Sequence, residues 1–234
     1  MSHIKVLVIV TTYNESQIIE AVINDIKRNF TDPYILVIDG YSTDNTNEIL
    51  IKKKIKTIYV DKIYGISLAV EAGFLEAIDL NCDYLVRIDG DGQHPASDVR
   101  KNLDLSISNE VDLMIGSRFL DKPDYETNKI RMTGIRLLRL LLKIFYRIDI
   151  KDCTSGCQIF SKRLIQKFID DQNFEYSEIG AICKTKKIGY KIEEKFINMK
   201  PRITGRSSFN FINSFKYMYK NLLSIITSTS FKLK

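Results

Sequence analysis

Residues 86–95 decide the fold of this chain, and they read Val86-Arg87-Ile88-Asp89-Gly90-Asp91-Gly92-Gln93-His94-Pro95. An apolar run of the kind that forms a buried strand ends there in two carboxylates that are one residue apart. Glycines flank the second carboxylate, so the backbone can turn sharply and aim both side chains at one point beyond the strand. Because like charges repel each other there unless a cation joins them, a divalent metal is the natural occupant. Mg²⁺ or Mn²⁺ binds carboxylate oxygens and is usually completed by substrate phosphates, so the pattern predicts a phosphorylated substrate.

Two simpler interpretations of this motif exist. Asp and Gly are turn residues, so the stretch is also typical of an ordinary turn at the end of a strand. A calcium loop that starts at Asp89 would need Gly at the position of His94 and Glu at the position of Arg100, which excludes it. Since short motifs often match by chance, the neighbouring sequence has to decide between a metal site and a turn.

The rest of the chain has the composition and periodicity of an α/β protein. Its 234 residues are 44% hydrophobic and 27% charged, which is ordinary for a globular protein and predicts one domain over residues 1–234. Short apolar runs rich in β-branched residues predict strands buried on both faces, at Ile4–Val10, Tyr34–Ile38, Lys56–Val60, Tyr84–Ile88 and Val111–Ile115. Segments of helical period alternate with them, at Ser16–Asn29, Thr43–Lys53, Ile66–Leu80 and Ser97–Ile107. This alternation predicts a mostly parallel sheet flanked by helices, with ligands beyond the carboxyl ends of its strands.

Charge divides the chain into two halves. Residues 1–120 contain 12 Lys and Arg against 18 Asp and Glu, a net charge of −6. Residues 121–234 contain 23 against 11, a net charge of +12, and eight basic residues but no acid follow Glu194. The asymmetry predicts a polyanionic partner for the second half, such as phosphate groups or anionic lipid. No nucleic acid is expected, because no helix-turn-helix, RNA-binding or zinc-finger signature occurs.

A basic amphipathic helix is predicted over Arg131–Asp149. Four cations recur in it at spacings of three and four, so they line one face of a helix whose other faces are apolar. They are Arg136, Arg139, Lys143 and Arg147. The pattern is typical of a helix that lies on an anionic membrane, and equally of a surface helix with a solvated basic stripe. A second amphipathic stretch covers Phe211–Ile226, and neither stretch contains the run of about 18 apolar residues that spans a membrane.

Cysteine usage and the amino terminus predict a compartment. The four cysteines have neither Cys-x-x-Cys nor zinc-site spacing, and no signal peptide precedes the first strand. We therefore expect a reduced, cytoplasmic protein that is peripheral on the inner face of a membrane, as a homo-oligomer or with a membrane partner subunit.

Two further motifs follow the first and second predicted strands. The first motif reads Thr11-Thr12-Tyr13-Asn14-Glu15, and the second reads Asp39-Gly40-Tyr41-Ser42-Thr43-Asp44-Asn45-Thr46. An aromatic ring beside hydroxyl and carboxylate groups can stack on a nucleobase, and Asp39 can accept from a base. Ser42 or Thr43 is also expected to cap the next helix. Dinucleotide-binding and P-loop signatures are missing from the sequence, which weakens those classes.

The ordered set of motifs resembles the family 2 glycosyltransferases of GT-A fold, and most of all the dolichyl- or polyprenyl-phosphate mannose synthase branch. The resemblance covers essentially the whole chain. It continues through Gly116-Ser117-Arg118, Arg131, Asp152-x-x-Ser155-Gly156, Glu178 and Arg202-x-x-Gly205-x-Ser207. The chain departs from the family pattern at Gly40 and Tyr41, where Asp-Gly is common.

The resemblance implies roles for particular residues. Those implied to bind the nucleotide are Thr11, Tyr13, Glu15, Asp39, Asp89 and Arg202. Those implied to hold Mg²⁺ or Mn²⁺ are Asp89, Asp91 and Gln93. Arg118 and Arg131 would receive the acceptor phosphate, and the candidate catalytic residues are Asp91, Arg118 and Glu178. The first half of the chain would thus bind nucleotide and metal, and the basic half the acceptor.

The implied reaction is inverting transfer of a hexose from a GDP- or UDP-sugar to a lipid phosphate. In an alternative version the acceptor is a saccharide or glycolipid hydroxyl, and Glu178 is the general base that such an acceptor needs. Glu178 is equally well explained as an acid favoured at a helix start. Two other classes are a catalytically silent partner subunit, which the intact acids disfavour, and a nucleotidyltransferase, which would need a glycine-rich basic loop after the first strand.

Overall fold

The structure is a computed structural model that describes residues 4–61, 65–121, 129–171, 175–201, 221–222 and 224–225, with backbone only at residues 129–131. This part of the chain contains seven strands and seven helices. The strands are β1 (Val6–Thr12), β2 (Tyr34–Asp39), β3 (Lys56–Tyr59), β4 (Tyr84–Asp89), β5 (Leu113–Ser117), β6 (Gln158–Ser161) and β7 (Ile192–Phe196). The helices are α1 (Ile19–Asn29), α2 (Thr46–Lys52), α3 (Gly65–Asp79), α4 (Ala96–Ser108), α5 (Lys129–Tyr146), α6 (Lys162–Ile169) and α7 (Glu178–Lys187).

All seven strands form one sheet in the order β3-β2-β1-β4-β6-β5-β7. Strand β6 runs antiparallel to both of its neighbours, whereas the other pairs are parallel. The sequence prediction of a mostly parallel α/β sheet flanked by helices is therefore confirmed.

Both faces of the sheet are buried, as the continuous apolar runs predicted. Successive strand side chains point to opposite faces, so in β1 Leu7 and Ile9 join the core under α3, α5, α6 and α7. Val8 and Val10 join the other core, under α1, α2 and α4. Burying each such aliphatic side chain contributes about 1.5–3 kcal/mol, and these two cores fix the strand ends that carry the polar motifs.

The five strands and four helices predicted from residues 1–120 are all present, with shifted ends. Helix α1 begins at Ile19 instead of Ser16, and α2 begins at Thr46 instead of Thr43. The helix predicted at Arg131–Asp149 corresponds to α5, and Glu178, for which the sequence also allows a place at a helix start, is the first residue of α7. Strands β6 and β7 and helix α6 were not predicted. Most of the stretch Phe211–Ile226 lies outside the described residues.

Candidate active site

The carboxyl ends of four neighbouring strands meet at one edge of the sheet. The register pairs Thr12 with Asp39, Thr11 with Asp89, and Asp39 with Tyr59. The ends of β1, β2, β3 and β4 thus lie side by side. The motifs that the sequence placed after three separate strands therefore belong to one region of the protein.

The loop after β1 is hydrogen-bonded to the loop after β2. Asn14 has a left-handed backbone with φ of +57°, and its N–H donates to Ser42 Oγ over 2.8 Å. Asn14 Oδ1 accepts from the N–H of Thr43 over 2.7 Å, and the N–H of Glu15 donates to Thr46 Oγ1 over 3.0 Å. The prediction that Ser42 or Thr43 caps the next helix is wrong, because these residues bind the Asn14 turn and α2 starts beyond them.

The residues implied to bind the nucleoside lie in this loop pair. Asp39 is fully buried, and its two carboxylate oxygens accept from Ser42 N–H over 2.7 Å and from Ser42 Oγ over 2.5 Å. The Tyr13 ring lies against Gly40, where an added Cβ would be 3.3 Å from Tyr13 Cδ2. Glu15 is 6% exposed at the base of the same loop. The structure brings these residues together, and their contact with a nucleoside stays a prediction.

The turn that carries the two acids needs its glycines. Gly92 has φ of +74°, and a Cβ there would lie 2.8 Å from Ile18 Cγ1. A Cβ on Gly90 would lie 2.9 Å from Thr12 Oγ1, at the end of β1. The turn is closed by the N–H of Gln93, which donates to Asp91 Oδ1 over 3.1 Å. The sharp turn expected from the sequence is present.

Asp89 is held in its ionised form. Thr11 Oγ1 donates to its Oδ1 over 3.1 Å, and the Arg87 guanidinium lies 3.6 Å from the same oxygen. Burial alone would raise the pKa of Asp89, but the attraction of Arg87 and His94 and the Thr11 hydrogen bond hold it below its ordinary value. Burial lowers the pKa of His94 in spite of the nearby acids, and its Nδ1 accepts from the N–H of Asp89 over 3.2 Å.

The donor set at this turn suits a hard divalent cation. Asp89 and Asp91 present carboxylate oxygens at one strand end, and Gln93 adds an amide. Gln93 Nε2 donates to the carbonyl oxygen of Lys200 over 3.0 Å, so the amide is held in place by the chain that follows β7. Among the residues that the structure describes, no cluster of three or more His, Cys, Asp or Glu is arranged to hold a metal. Mg²⁺ and Mn²⁺ need only one or two protein carboxylates when a substrate supplies further ligands. The two acids and the amide therefore fit such an ion together with ligands from a substrate.

The motif at residues 152–156 packs against Asp89. A Cβ on Gly156 would lie 2.7 Å from Asp89 Oδ2 and 3.3 Å from Arg87 Nη2. Ser155 Oγ donates to the carbonyl oxygen of Gly116 over 2.5 Å. The motif therefore sets the position of Asp89 through the close approach of a glycine backbone.

Arg118 forms a buried ion pair with Asp152. Its Nε and Nη2 each donate over 2.6 Å to the two oxygens of that carboxylate, which is fully buried. Two backbone N–H groups, those of Lys151 and Asp152, donate in turn to Glu194. Burial raises the pKa of Glu194 in spite of these hydrogen bonds. Arg118 thus has two of its side-chain donors engaged by Asp152, and its contact with an acceptor phosphate stays a prediction.

Glu178 belongs to a buried network centred on Arg87. Arg87 Nη1 donates to Glu178 Oε1 over 2.9 Å and to the Tyr176 hydroxyl over 2.6 Å. The Tyr176 hydroxyl donates to Gln158 Oε1 over 2.9 Å. Burial by itself would lower the pKa of Arg87, but Tyr176, Glu178 and Asp89 hold it above its ordinary value. The sequence reasoning missed Arg87, although a cation inside an otherwise apolar strand was a signal that could have identified it.

Two of the implied phosphate-binding residues cannot be placed in the site. Arg202 lies outside the described residues, and for Arg131 only the backbone, in the first turn of α5, is described. Lys200, two residues before Arg202, bonds to Gln93 through both of its backbone groups. The chain therefore enters the segment that contains Arg202 from beside the acid turn.

Helix α5 exposes apolar side chains together with its cations. Ile135, Leu138 and Leu142 are buried. Leu137, Leu140, Ile144 and Phe145 are each 48% to 59% exposed. Arg139 pairs with Asp149, at 2.5 Å from its Nε to Oδ1. Within the described residues, no helix combines the length and the apolar character that crossing a membrane requires.

Comparison with known structures identifies the fold. The fold matches glucosyl-3-phosphoglycerate synthase from Mycobacterium tuberculosis in complex with UDP, with a TM-score of 0.72 at 17% identity, over 98% of this chain and 81% of that one. The same enzyme in complex with Mn²⁺, UDP-glucose and phosphoglyceric acid gives a TM-score of 0.70. The protein therefore has the GT-A fold that its motifs predicted.

The family follows from the sequence comparisons. The family model described as Glycosyl transferase family 2 matches residues 7–169, and the chain belongs to this family. A UDP-N-acetylglucosamine--dolichyl-phosphate N-acetylglucosaminyltransferase from Methanococcus voltae is 27% identical, over 69% of this chain and 71% of that protein. A dolichol-phosphate mannosyltransferase from Pyrococcus furiosus is 32% identical over 69% of this chain, which matches 47% of that protein. The resemblance to the dolichyl- and polyprenyl-phosphate branch is thereby confirmed, and the chain is a glycosyltransferase.

Proposed function

We propose that this glycosyltransferase moves a hexose, with inversion, from a nucleoside diphosphate sugar to a polyprenyl- or dolichyl-type phosphate at a membrane surface. The names of the relatives from Methanococcus voltae and Pyrococcus furiosus support a lipid phosphate acceptor. The observation that carries the choice of acceptor is the buried ion pair of Arg87 with Glu178.

A hydroxyl acceptor requires a general base, and Glu178 is poorly suited to that role. Its side chain is 6% exposed, and its Oε1 lies 2.9 Å from Arg87 Nη1. If the carboxylate accepted a proton, it would lose its attraction to a buried guanidinium. A phosphate acceptor is already an anion at neutral pH, so it needs positioning more than deprotonation.

The other residues divide between donor and acceptor. The ends of β1 and β2 and the loop after β1 would bind the nucleoside, through Thr11, Tyr13, Glu15 and Asp39. Asp89, Asp91 and Gln93 would hold Mg²⁺ or Mn²⁺, which when bound supplies positive charge for the departing diphosphate. Arg202 would contact the donor diphosphate, and Arg118 and Arg131 the acceptor phosphate, because guanidiniums suit phosphate oxygens.

The acceptor is tested with one lipid in two forms, polyprenyl phosphate and the matching polyprenol. GDP- and UDP-hexoses are supplied with Mn²⁺, and labelled lipid product is measured. We expect product from the phosphate alone, and Glu178→Gln, whose amide oxygen can still accept from Arg87, should retain most of the turnover per folded molecule. Product from the polyprenol that disappears in Glu178→Gln, while donor binding persists, would instead support the hydroxyl acceptor.

The membrane surface is supported by the exposed apolar side chains of α5 beside its cations. Apolar groups enter the headgroup boundary while cations attract anionic lipid, and salt screens that attraction. We expect the protein to sediment with anionic vesicles and to be released by salt, and Leu140→Asp to weaken sedimentation. Leu105→Asp is the matched control, because Leu105 is an exposed leucine of α4. Equal binding to neutral and anionic vesicles would contradict the proposal.

A further inference from the structure

Tyr41 has an unusual backbone for a residue of its size. Its φ is +60°, in the left-handed region that bulky side chains rarely adopt. The side chain is 59% exposed, so more than half of its surface stays in contact with water. Such outliers cluster at ligand contacts, where the conformation serves binding and not stability.

The position of Tyr41 connects it to a second exposed ring. Tyr59, the last residue of β3, is 43% exposed and is the register partner of Asp39. The ring centroids of Tyr41 and Tyr59 are 5.8 Å apart with an interplanar angle of 40°, which is within the range of interacting aromatic pairs. The two rings stand at the carboxyl edge of the sheet, beside the Asp39 loop.

A third tyrosine contacts the same loop. The Tyr13 ring packs against Gly40, the residue directly before Tyr41. Three aromatic rings thus lie at the carboxyl ends of β1, β2 and β3, on the same edge of the sheet as Asp89. Every nucleobase has a flat face that stacks on such rings, whatever its hydrogen-bonding edge.

We propose that Tyr41 and Tyr59 form a wall on which the nucleobase of the sugar donor stacks. The inference rests on the proposed function, since it assigns a contact within the same donor site. Tyr41 and Tyr59 contact the base only, whereas the acids contact the diphosphate through the metal. The wall therefore contributes to the binding of a nucleoside diphosphate and not to that of pyrophosphate.

Calorimetric titration of the full chain with Mn²⁺ tests this division, using UDP, GDP and inorganic pyrophosphate as ligands. For whichever nucleotide the protein binds more tightly, Tyr41→Gly and Tyr59→Val should each raise the Kd about tenfold. The Kd for pyrophosphate should stay unchanged, and Tyr41→Phe, which keeps a ring, should bind nucleotide as the original protein does. Tyr34→Val is the control, because Tyr34 is an exposed strand tyrosine at the opposite end of β2.

The folding of the variants is measured in parallel. Glycine adopts a φ of +60° without strain, so Tyr41→Gly should melt at the same temperature or higher. An unchanged nucleotide Kd in both Tyr41→Gly and Tyr59→Val would overturn the inference. An equal increase of the Kd for nucleotide and for pyrophosphate would overturn it too. Failure of the original protein to bind any of the three ligands would overturn the proposed donor site itself.

Discussion

Replacing Arg87 with methionine should destabilise the protein strongly, although the replacement is apolar and the site is buried. Arg87 donates to Glu178 and Tyr176 and lies 3.6 Å from Asp89. In Arg87→Met the Glu178 carboxylate stays buried and loses its cation. Tyr176 keeps its hydrogen bond to Gln158, so the main loss falls on the carboxylate.

The magnitude follows from burial and distance. The side chains of Arg87 and Glu178 are only 4% and 6% exposed, so solvent screens their attraction little. Two unit charges about 4 Å apart attract by about 4 kcal/mol at an effective dielectric constant near 20. Breaking a buried pair on one side costs about 3–5 kcal/mol, whereas replacing both members with apolar residues is often neutral. We therefore expect Arg87→Met to cost about 4 kcal/mol and the double variant Arg87→Met/Glu178→Met to recover most of it.

Urea unfolding of the original protein, Arg87→Met, Glu178→Met and the double variant measures the coupling free energy between the two side chains. The matched control is Arg100→Met, because Arg100 pairs with Asp104 at the same 2.9 Å but with side chains 33% and 53% exposed. That exposed pair should contribute less than about 1 kcal/mol. If Arg87→Met costs no more than Arg100→Met, or if the double variant is less stable than Arg87→Met, the reasoning from burial is refuted.

Further predictions concern one acid of the turn, two glycines and one thiol. Asp91→Ala should abolish Mn²⁺-dependent donor turnover, and unchanged turnover in the enzyme assay would contradict the metal assignment. Gly156→Ala should slow turnover roughly 10- to 100-fold, because the new Cβ would displace Asp89. Gly189→Ala, at φ of +81° with open space around it, should cost about 1 kcal/mol in urea unfolding and leave turnover unchanged. Burial raises the pKa of Cys82 to about 11, so its unfolded thiol ionises first and stability should fall as the pH rises from about 8.5. The fall should be smaller in Cys82→Ala. If the urea midpoint decreases equally in both proteins up to pH 10.5, this thiol does not cause the loss of stability.

The first half of the fold could be predicted because its signals are local. Strands β1, β2, β4 and β5 are mostly apolar runs, and helices α1 and α4 have an apolar face, so periodicity reveals them. Strand β6, at Gln158–Ser161, has four residues and polar ends, and it exists because it pairs antiparallel with β4 and β5. Strand β7 reads Ile-Glu-Glu-Lys-Phe and is half-buried at the edge of the sheet. Such short segments depend on partners that are distant in the chain.

The candidate site also has residues that local motifs predict and contacts that they do not predict. The acids of the turn, its glycines and the tyrosine and aspartate after β1 and β2 are visible as short motifs, because strand ends in a parallel sheet share one edge. The pairing of Arg87 with Glu178 joins residues 91 positions apart, and that of Arg118 with Asp152 joins residues 34 apart. Charge and spacing in the sequence indicate which residues can bind metal and phosphate. Which carboxylate is neutralised by a buried cation, and so which acceptor chemistry is favoured, depends on contacts that arise once β6 and α7 pack beside β4.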